Sequence, residues 1–206
     1  MRLHHVLPEY QDRVRLRIRP YPLEVMGGEA APRKILEQEW WLAALQEPLA
    51  VFKPFDGGDW PTTTLPAFEA AWCAARQDET VFLEFDLRVR KAFFAEGRNI
   101  GKRDVLVELA SEVGLDVDTF IRDSDSGRAR EAVLEEARLG QERYNVRGTP
   151  TLMLADGSKL RAPIAFARMR DHQIVGVMPL PCHGDECLEA TRELFNRALR
   201  GSSGNA

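Results

Sequence analysis

Cysteine is scarce in this chain: its 206 residues contain three, and no two of them are spaced as a CxxC pair. So few cysteines exclude the dense disulfide framework of small secreted domains. No apolar run approaches the roughly 20 residues that a membrane-spanning helix needs. The first residues also lack the apolar core of a signal peptide. Taking Met1 as the true start, we expect a soluble protein of the cytoplasm.

A dominant charge of one sign is also missing. Lysine and arginine total 28 against 32 aspartate and glutamate, for a formal net charge of −4. This near balance does not indicate a nucleic-acid-binding surface. The length suits one domain, or one domain that carries a large insertion.

The first strand pattern lies at residues 13–22. Val14, Leu16 and Ile18 alternate there with arginines, and two prolines follow. A period of two predicts a β-strand with one apolar face. We interpret the arginine row as the outer face of an edge strand, where charge blocks unwanted pairing, rather than as a basic binding stripe.

Helical patterns fill the middle of the chain. One helix is predicted near residues 33–47, and consecutive helices are predicted over 65–143. Asp116 and Ser126 precede two of these segments as good N-cap residues. The expected breaks are at 76–79, 97–101, 114–116 and 123–126.

Strand character returns towards the end of the chain. Residues 151–155 form an apolar run, and Asp156–Gly157 is a favoured hairpin turn, so 158–162 should run back antiparallel. A further short strand is predicted over 173–178, a helix over 188–199 and a disordered tail over 201–206. This order of elements indicates an α/β protein with an inserted helical subdomain.

The sequence GTPT places a proline directly before the strand at 151–155. A cis Thr149–Pro150 bond would turn the chain sharply and leave the backbone groups of Thr149 facing outward. Those groups could then pair with an extended peptide, as an added strand would. The alternative is a trans turn proline without a role.

Residues 93–157 resemble the DsbA/FrnE group of thioredoxin-like proteins. The resemblance lies in EGRNI, in VLVELASEVGLD and in RGTPT, in the same order, and RPYPL after the first strand is also similar. It extends to about residue 162. It implies a thioredoxin-like fold in one domain, a cis Pro150, and Thr149 and Pro150 as the substrate-facing pair. That domain spans 1–200, with a core of 13–22 and 144–199 and a helical insertion of about 60–143.

The sequence departs from this family at its start. Members carry a CxxC redox motif at the beginning of their first helix, after a first strand, and neither is present here. A helix N-terminus favours the thiolate that this chemistry needs. Three explanations stay open. The true start lies upstream, a second chain supplies the missing N-terminal strand in a homodimer, or the redox half is lost.

The three cysteines carry different expectations. Cys73 lies among apolar helical residues and is expected in the core. Cys182 and Cys187 are close enough to bond, with Cys187 in the first turn of the last helix and His183 beside them. They form a redox-active pair, a structural clip or two plain thiols. A zinc site would lack its fourth ligand, so we expect no metal.

The resemblance implies a thiol–disulfide oxidoreductase acting on protein or small-molecule disulfides. Its attacking cysteine would lie upstream of this sequence, or else Cys182 and Cys187, which are not the family's usual motif, are the candidate catalytic residues. The expected partner is a disulfide- or thiol-containing protein or peptide, with no nucleic acid and no membrane. No cofactor is expected, and glutathione is the candidate thiol co-substrate. The alternatives are a glutathione-dependent isomerase or transferase of the same fold, and a non-catalytic, chaperone-like module that binds peptides.

Overall fold

The computed structural model describes residues 1–10, 13–26, 33–160, 162, 164–165, 167–171 and 173–202. Short 3-10 turns cover Leu7–Tyr10 and Leu23–Val25. The mixture of helices and short strands confirms the predicted α/β class. The helices are α1 (Arg2–Val6), α2 (Arg33–Gln46), α3 (Leu65–Gln77), α4 (Glu79–Phe94), α5 (Arg103–Glu112), α6 (Val117–Asp125), α7 (Arg128–Glu142) and α8 (Asp185–Ser202). The strands are β1 (Leu152–Met153), β2 (Lys159–Leu160), β3 (Ala167–Arg170) and β4 (Gln173–Val177).

The chain divides into two compact units. The first consists of Met1–Ile18, Pro32–Ala50 and Val146–Ala206, and the second of Arg19–Ala31 and Val51–Asn145. The helical insertion predicted at about 60–143 lies inside the second unit. All the candidate site residues, Thr149, Pro150, Cys182 and Cys187, lie inside the first.

Side-chain caps begin two helices of the second unit. The Asp78 carboxylate accepts hydrogen bonds from the backbone N–H groups of Thr80 and Val81, at 2.7 and 2.9 Å, where α4 begins. Asp116 accepts from the Thr119 N–H at 2.7 Å at the start of α6. Each cap satisfies N–H groups that a helix start leaves without a partner. The breaks predicted at 76–79 and 114–116 fall at these two turns. The prediction of Ser126 as an N-cap is wrong, because α6 continues to Asp125 and the N-cap of α7 is Gly127, which has no side chain to form a cap.

The second unit is packed around aromatic and small side chains. Phe85 on α4 and Phe120 on α6 are fully buried, with ring centroids 5.7 Å apart in an edge-on arrangement. Val133 and Ala137 on α7 are 0% exposed. Because α3 contacts α4, α6 and α7, it is the central helix of this unit.

The core of the first unit is formed by residues from near the start and near the end of the sequence. Val6 of α1, Tyr10 and Phe195 of α8 are buried together. The Tyr10 and Phe195 rings stack at 5.0 Å, and the Tyr10 hydroxyl lies 3.0 Å from Oδ1 of Asn196. Because the Tyr10 ring is buried and its hydroxyl is hydrogen-bonded, Tyr10 holds α8 firmly in place.

Two antiparallel hairpins complete the first unit. In the predicted one, Leu152 pairs with Leu160 and Met153 with Lys159, so the paired strands are shorter than expected. The second pairs β3 with β4, with Asp171 at φ 47° where β3 ends. β4 was predicted over 173–178, whereas β3, with the sequence ARMR, has no β-branched residue that would signal a strand.

The strand predicted over residues 13–22 is wrong. Residues 14–22 belong to no helix or paired strand in the described part of the chain. Their side chains nevertheless alternate, with Val14, Leu16 and Ile18 half-buried and the arginines between them exposed. The apolar period predicted which side chains face inward, but a strand also needs a hydrogen-bonded partner.

Helix α8 is longer than the predicted helix over 188–199. It begins three residues earlier, at Asp185, and continues to Ser202, so two residues of the predicted tail are helical. Residues 203–206 of that tail lie outside the described residues. Within the described residues, no helix has the length and apolar character to cross a membrane.

Candidate functional site

Thr149 and Pro150 lie in the loop that leads into β1. The peptide bond between them is cis, and both residues are exposed to solvent. The Thr151 hydroxyl donates a hydrogen bond of 2.6 Å to the carbonyl of Gly148, which closes the loop around the pair. Their side chains are therefore accessible at the surface of the first unit.

Cys182 and Cys187 form a disulfide, with an S–S distance of 2.08 Å and Cα atoms 5.1 Å apart. Both are buried: Cys182 is 5% exposed and Cys187 is 1% exposed. Gly184, between them, has φ 52°, a left-handed conformation that glycine adopts without a steric penalty. The sequence predicted that the two could meet and left open whether they bond.

The N-terminus of α8 holds the second sulfur. Cys187 is in the first turn of α8, and its N–H donates to the Gly184 carbonyl at 3.1 Å. The Thr191 hydroxyl donates to the Cys187 carbonyl at 2.7 Å. At the same helix start, the Glu186 carboxylate accepts from the His183 N–H at 3.3 Å. Cys187 is thus fixed by the helix, whereas Cys182 is in the preceding loop.

A buried guanidinium contacts the disulfide. Nη1 of Arg2, on α1, lies 3.7 Å from Sγ of Cys182. Nε of the same side chain donates to the Glu47 carboxylate at 3.1 Å, and the side chains of Arg2 and Glu47 are only 10% and 14% exposed. A paired guanidinium in a buried setting acts on its neighbours through less screening water than a surface charge does. Arg2 and Glu47 were not predicted from the sequence.

A small cavity of about 30 Å³ lies beside Cys187, lined also by Arg2, Glu47 and Asp185. Its size fits a single water molecule rather than a substrate. Within the described residues, no group of three or more His, Cys, Asp or Glu side chains is placed to hold a metal ion.

The comparison with protein families assigns residues 1–176 to one family, described as the DSBA-like thioredoxin domain. The chain belongs to that family. Its fold is therefore thioredoxin-like, as the resemblance implied.

A solved structure supports the fold of this DSBA-like domain. The cytosolic disulfide reductase DsbM from Pseudomonas aeruginosa matches with a TM-score of 0.62 and 21% identity, over 95% of this chain and 90% of that one. The uncharacterized protein YwbO of Bacillus subtilis is 33% identical over 73 residues. That match spans 35% of this chain and 36% of the relative's length.

Cys73 has a different setting in this DSBA-like domain. It lies on α3 in the second unit and is 0% exposed, as its apolar neighbours predicted. Burial raises the pKa of its thiol, and the nearby Asp123 and Glu69 carboxylates act in the same direction. The Ser124 hydroxyl, 3.6 Å from the sulfur, opposes this only in part. A buried, neutral thiol of this kind is unreactive.

The predicted site residues thus fall in two places. The cysteines are joined at the start of α8, in contact with α1, whereas Thr149 and Pro150 lie in the loop before β1. Sequence reasoning missed Arg2 because it is separated from Cys182 by 180 residues. A charged residue at the end of an apolar helical pattern carries no local signal that it will be buried.

Proposed function

We propose that this protein is a thiol–disulfide oxidoreductase whose redox pair is Cys182 and Cys187. The observation that carries the proposal is the disulfide between them at the N-terminus of a helix, in a domain of this family. Among the three cysteines of these 206 residues, Cys73 is set apart because it is a free thiol and burial raises its pKa. Cys182 and Cys187 are therefore the proposed reactive cysteines of this sequence.

The pair would alternate between the disulfide and two thiols. A dithiol reductant opens the bond through a mixed disulfide, and its two thiols become a disulfide as the pair gains two electrons. In the opposite direction, the reduced pair gives those electrons to a substrate disulfide. Cys187 is held by α8 and Cys182 is held in the loop, so bond opening leaves the helix in place.

The substrate-binding part of the proposal concerns Thr149 and Pro150. Both are exposed, and they directly precede β1, which is paired with β2. An extended peptide could therefore align with the backbone of this loop, in the manner of an added strand. The proposed substrate is accordingly a disulfide-containing protein or peptide.

The test is turnover of a fluorescent peptide disulfide with dithiothreitol as the reductant. We expect the Cys182→Ser and Cys187→Ser variants to lose turnover and Cys73→Ala to keep it. Full turnover in the Cys182→Ser/Cys187→Ser double variant would place the reaction elsewhere and refute the assignment. Repeating the assay with glutathione instead of dithiothreitol would test the glutathione-dependent alternative.

A second candidate function is favoured by the burial of both sulfurs, which are at most 5% exposed. In that case the disulfide is a structural clip and the exposed loop makes the protein a non-catalytic binder of unfolded polypeptide. Binding of a reduced, denatured protein without any turnover of the peptide disulfide would support this candidate. Turnover that requires Cys182 would exclude it.

The proposal also includes a location and an assembly. We propose a cytoplasmic protein, and a homodimer is the assembly that a strand supplied by a second chain would require. Fractionation of native cells tests the location, and light scattering of the purified protein tests the assembly. Recovery in a secreted fraction would contradict the first, and a monomeric mass would contradict the second.

A further inference from the structure

Cys182 and Cys187 differ in the charged groups around them. The guanidinium of Arg2 lies 3.7 Å from Sγ of Cys182. Cys187 borders the small cavity that Arg2, Glu47 and Asp185 also line. A positive charge near a sulfur favours its thiolate, and carboxylates disfavour it. The two sulfurs of the reduced pair are therefore not equivalent.

Both cysteines are buried, but their positions in the chain differ. Cys182 is 5% exposed and sits in the loop before α8, whereas Cys187 is 1% exposed and is held inside the first helical turn. An attacking sulfur must approach its target in line, so it belongs on the more accessible and more adjustable side of the pair. The contact with Arg2 and the position in the loop favour Cys182 as the attacking sulfur, whereas the N-terminus of α8 acts in the opposite direction by favouring the thiolate of Cys187.

We propose that Arg2 is a positioning residue that makes Cys182 the attacking sulfur of the reduced pair, with Cys187 as the resolving sulfur. This rests on the proposed function of the pair. Glu47 fixes the guanidinium, since its carboxylate accepts from Nε of Arg2 at 3.1 Å and from its backbone N–H at 3.4 Å.

The reaction is balanced in two steps. The Cys182 thiolate attacks one sulfur of the substrate disulfide, a bond forms to it, and the other substrate sulfur leaves as a thiolate. Cys187 then loses its proton to solvent and attacks Cys182, which re-forms the disulfide and releases the second substrate thiolate. The substrate gains two electrons and the pair loses two, and the released thiolates take up protons from water.

The pH dependence of the two thiols also depends on the other charged groups near them. Arg2 comes from α1 and Glu47 from the turn after α2. His183 is in the loop between the cysteines, and Asp185 and Glu186 are in the first turn of α8. Of these groups, the Arg2 guanidinium lies 3.7 Å from the Cys182 sulfur. The carboxylates oppose the stabilisation of the Cys182 thiolate by Arg2, so removing one of them should strengthen that stabilisation.

The test is the rate of alkylation by iodoacetamide of each cysteine in the reduced protein, followed by peptide mass spectrometry over a range of pH. In the wild type, Cys182 should react first as the pH rises. Arg2→Met should raise the pH at which Cys182 reacts by about one unit, a tenfold loss of thiolate. Arg2→Lys should restore part of the effect. Glu47→Gln keeps a side-chain oxygen that can accept from Nε of Arg2 but removes the negative charge, so it should lower the pH at which Cys182 reacts.

The result that overturns the proposal is Cys187 reacting first, or a Cys182 profile that Arg2→Met leaves unchanged. If Arg2→Met does not fold, as judged by circular dichroism, the wild-type order and Glu47→Gln decide the question. Alkylation needs no substrate, so a protein without oxidoreductase turnover can still pass this test. Conversely, turnover that depends on Cys182 but is insensitive to Arg2 would support the proposed function and reject the role of Arg2.

Discussion

The side-chain amide of Gln46 pairs with both backbone groups of Ala165. Oε1 accepts from the Ala165 N–H at 2.5 Å, and Nε2 donates to its carbonyl at 3.4 Å. Both residues are buried, so the end of α2 is joined to the segment between the two hairpins as a neighbouring strand would be. Gln77 makes the same two-bond pairing with Asp116 at the surface of the second unit, at 3.0 and 2.9 Å.

Comparing these two glutamines measures how much more a buried hydrogen-bonded pairing contributes to the unfolding free energy than an exposed one. Gln46→Leu leaves the buried N–H and C=O of Ala165 without their partner, and we expect a loss of about 2 kcal/mol of unfolding free energy. Gln77→Leu should cost much less, because water can replace the lost bonds. Urea unfolding of both variants checks this. Equal losses would show that the buried pairing contributes no more than the exposed one.

Cys73 should be the slowest cysteine to react in the reduced, folded protein. Its sulfur is fully buried, and burial raises its pKa, so neither access nor ionisation favours attack. We expect iodoacetamide to modify Cys182 and Cys187 long before Cys73, and all three at similar rates in urea. Early modification of Cys73 in the native protein would contradict the described packing of α3.

Acid should weaken the ion-pair network of the second unit. The hydrogen bond from Arg88, with help from Arg98, holds the pKa of Glu112 below its usual range. A carboxylate whose pKa is lowered on folding stabilises the fold above its unfolded pKa, and this is lost as the pH falls through the folded value. The Arg88→Met variant should therefore melt below the wild type near neutral pH.

That difference should shrink as the pH falls from the ordinary glutamate range through the lowered pKa of Glu112, where the carboxylate becomes protonated in both proteins. The measurement is Tm against pH for the two proteins. Arg103→Met is the matched control, since it removes one exposed arginine paired to Asp125 on the same unit. A pH-independent difference for Arg88→Met would mean that lost packing, and not the ion pairs, is responsible.

The exposed loop before β1 offers a test of peptide binding that leaves the fold unaltered. Thr149→Arg adds a bulky charged side chain at an exposed position, and we expect it to weaken binding of an unfolded polypeptide roughly tenfold, or about 1.4 kcal/mol. Ala155→Arg, the same change at the exposed turn of the neighbouring hairpin, should leave binding intact. Fluorescence polarisation of a labelled peptide measures both. Equal effects would remove Thr149 from the binding surface.

The parts of this fold that were predictable depend on neighbours in sequence. Asp116 marks the start of α6, and Asp156–Gly157 marks the turn of the first hairpin, because caps and turns are set by residues a few positions apart. The segment at Val14, Leu16 and Ile18 shows the limit. Its period gave the inward and outward faces, but no local pattern reveals whether a partner strand is present.

The candidate site was predictable to a similar extent. The short spacing of Cys182 and Cys187 was enough to bring them together, since two cysteines five residues apart across a glycine-containing loop reach bonding distance. Their electrostatic partner was not foreseeable, because Arg2 reaches the pair only through the packing of α1 on α8. The roles of Thr149 and Pro150 and of the cysteine pair stay predictions until the variants are measured.

The disulfide closes a loop across a sequence separation of only 5. In the chain-entropy description, a loop this short restrains the unfolded chain by about 2 kcal/mol, less than half of what a 100-residue loop would give. Reduction should therefore lower the melting temperature only modestly. We therefore expect this domain to stay folded when its disulfide is reduced, so that the same structure persists in both reducing and oxidising surroundings.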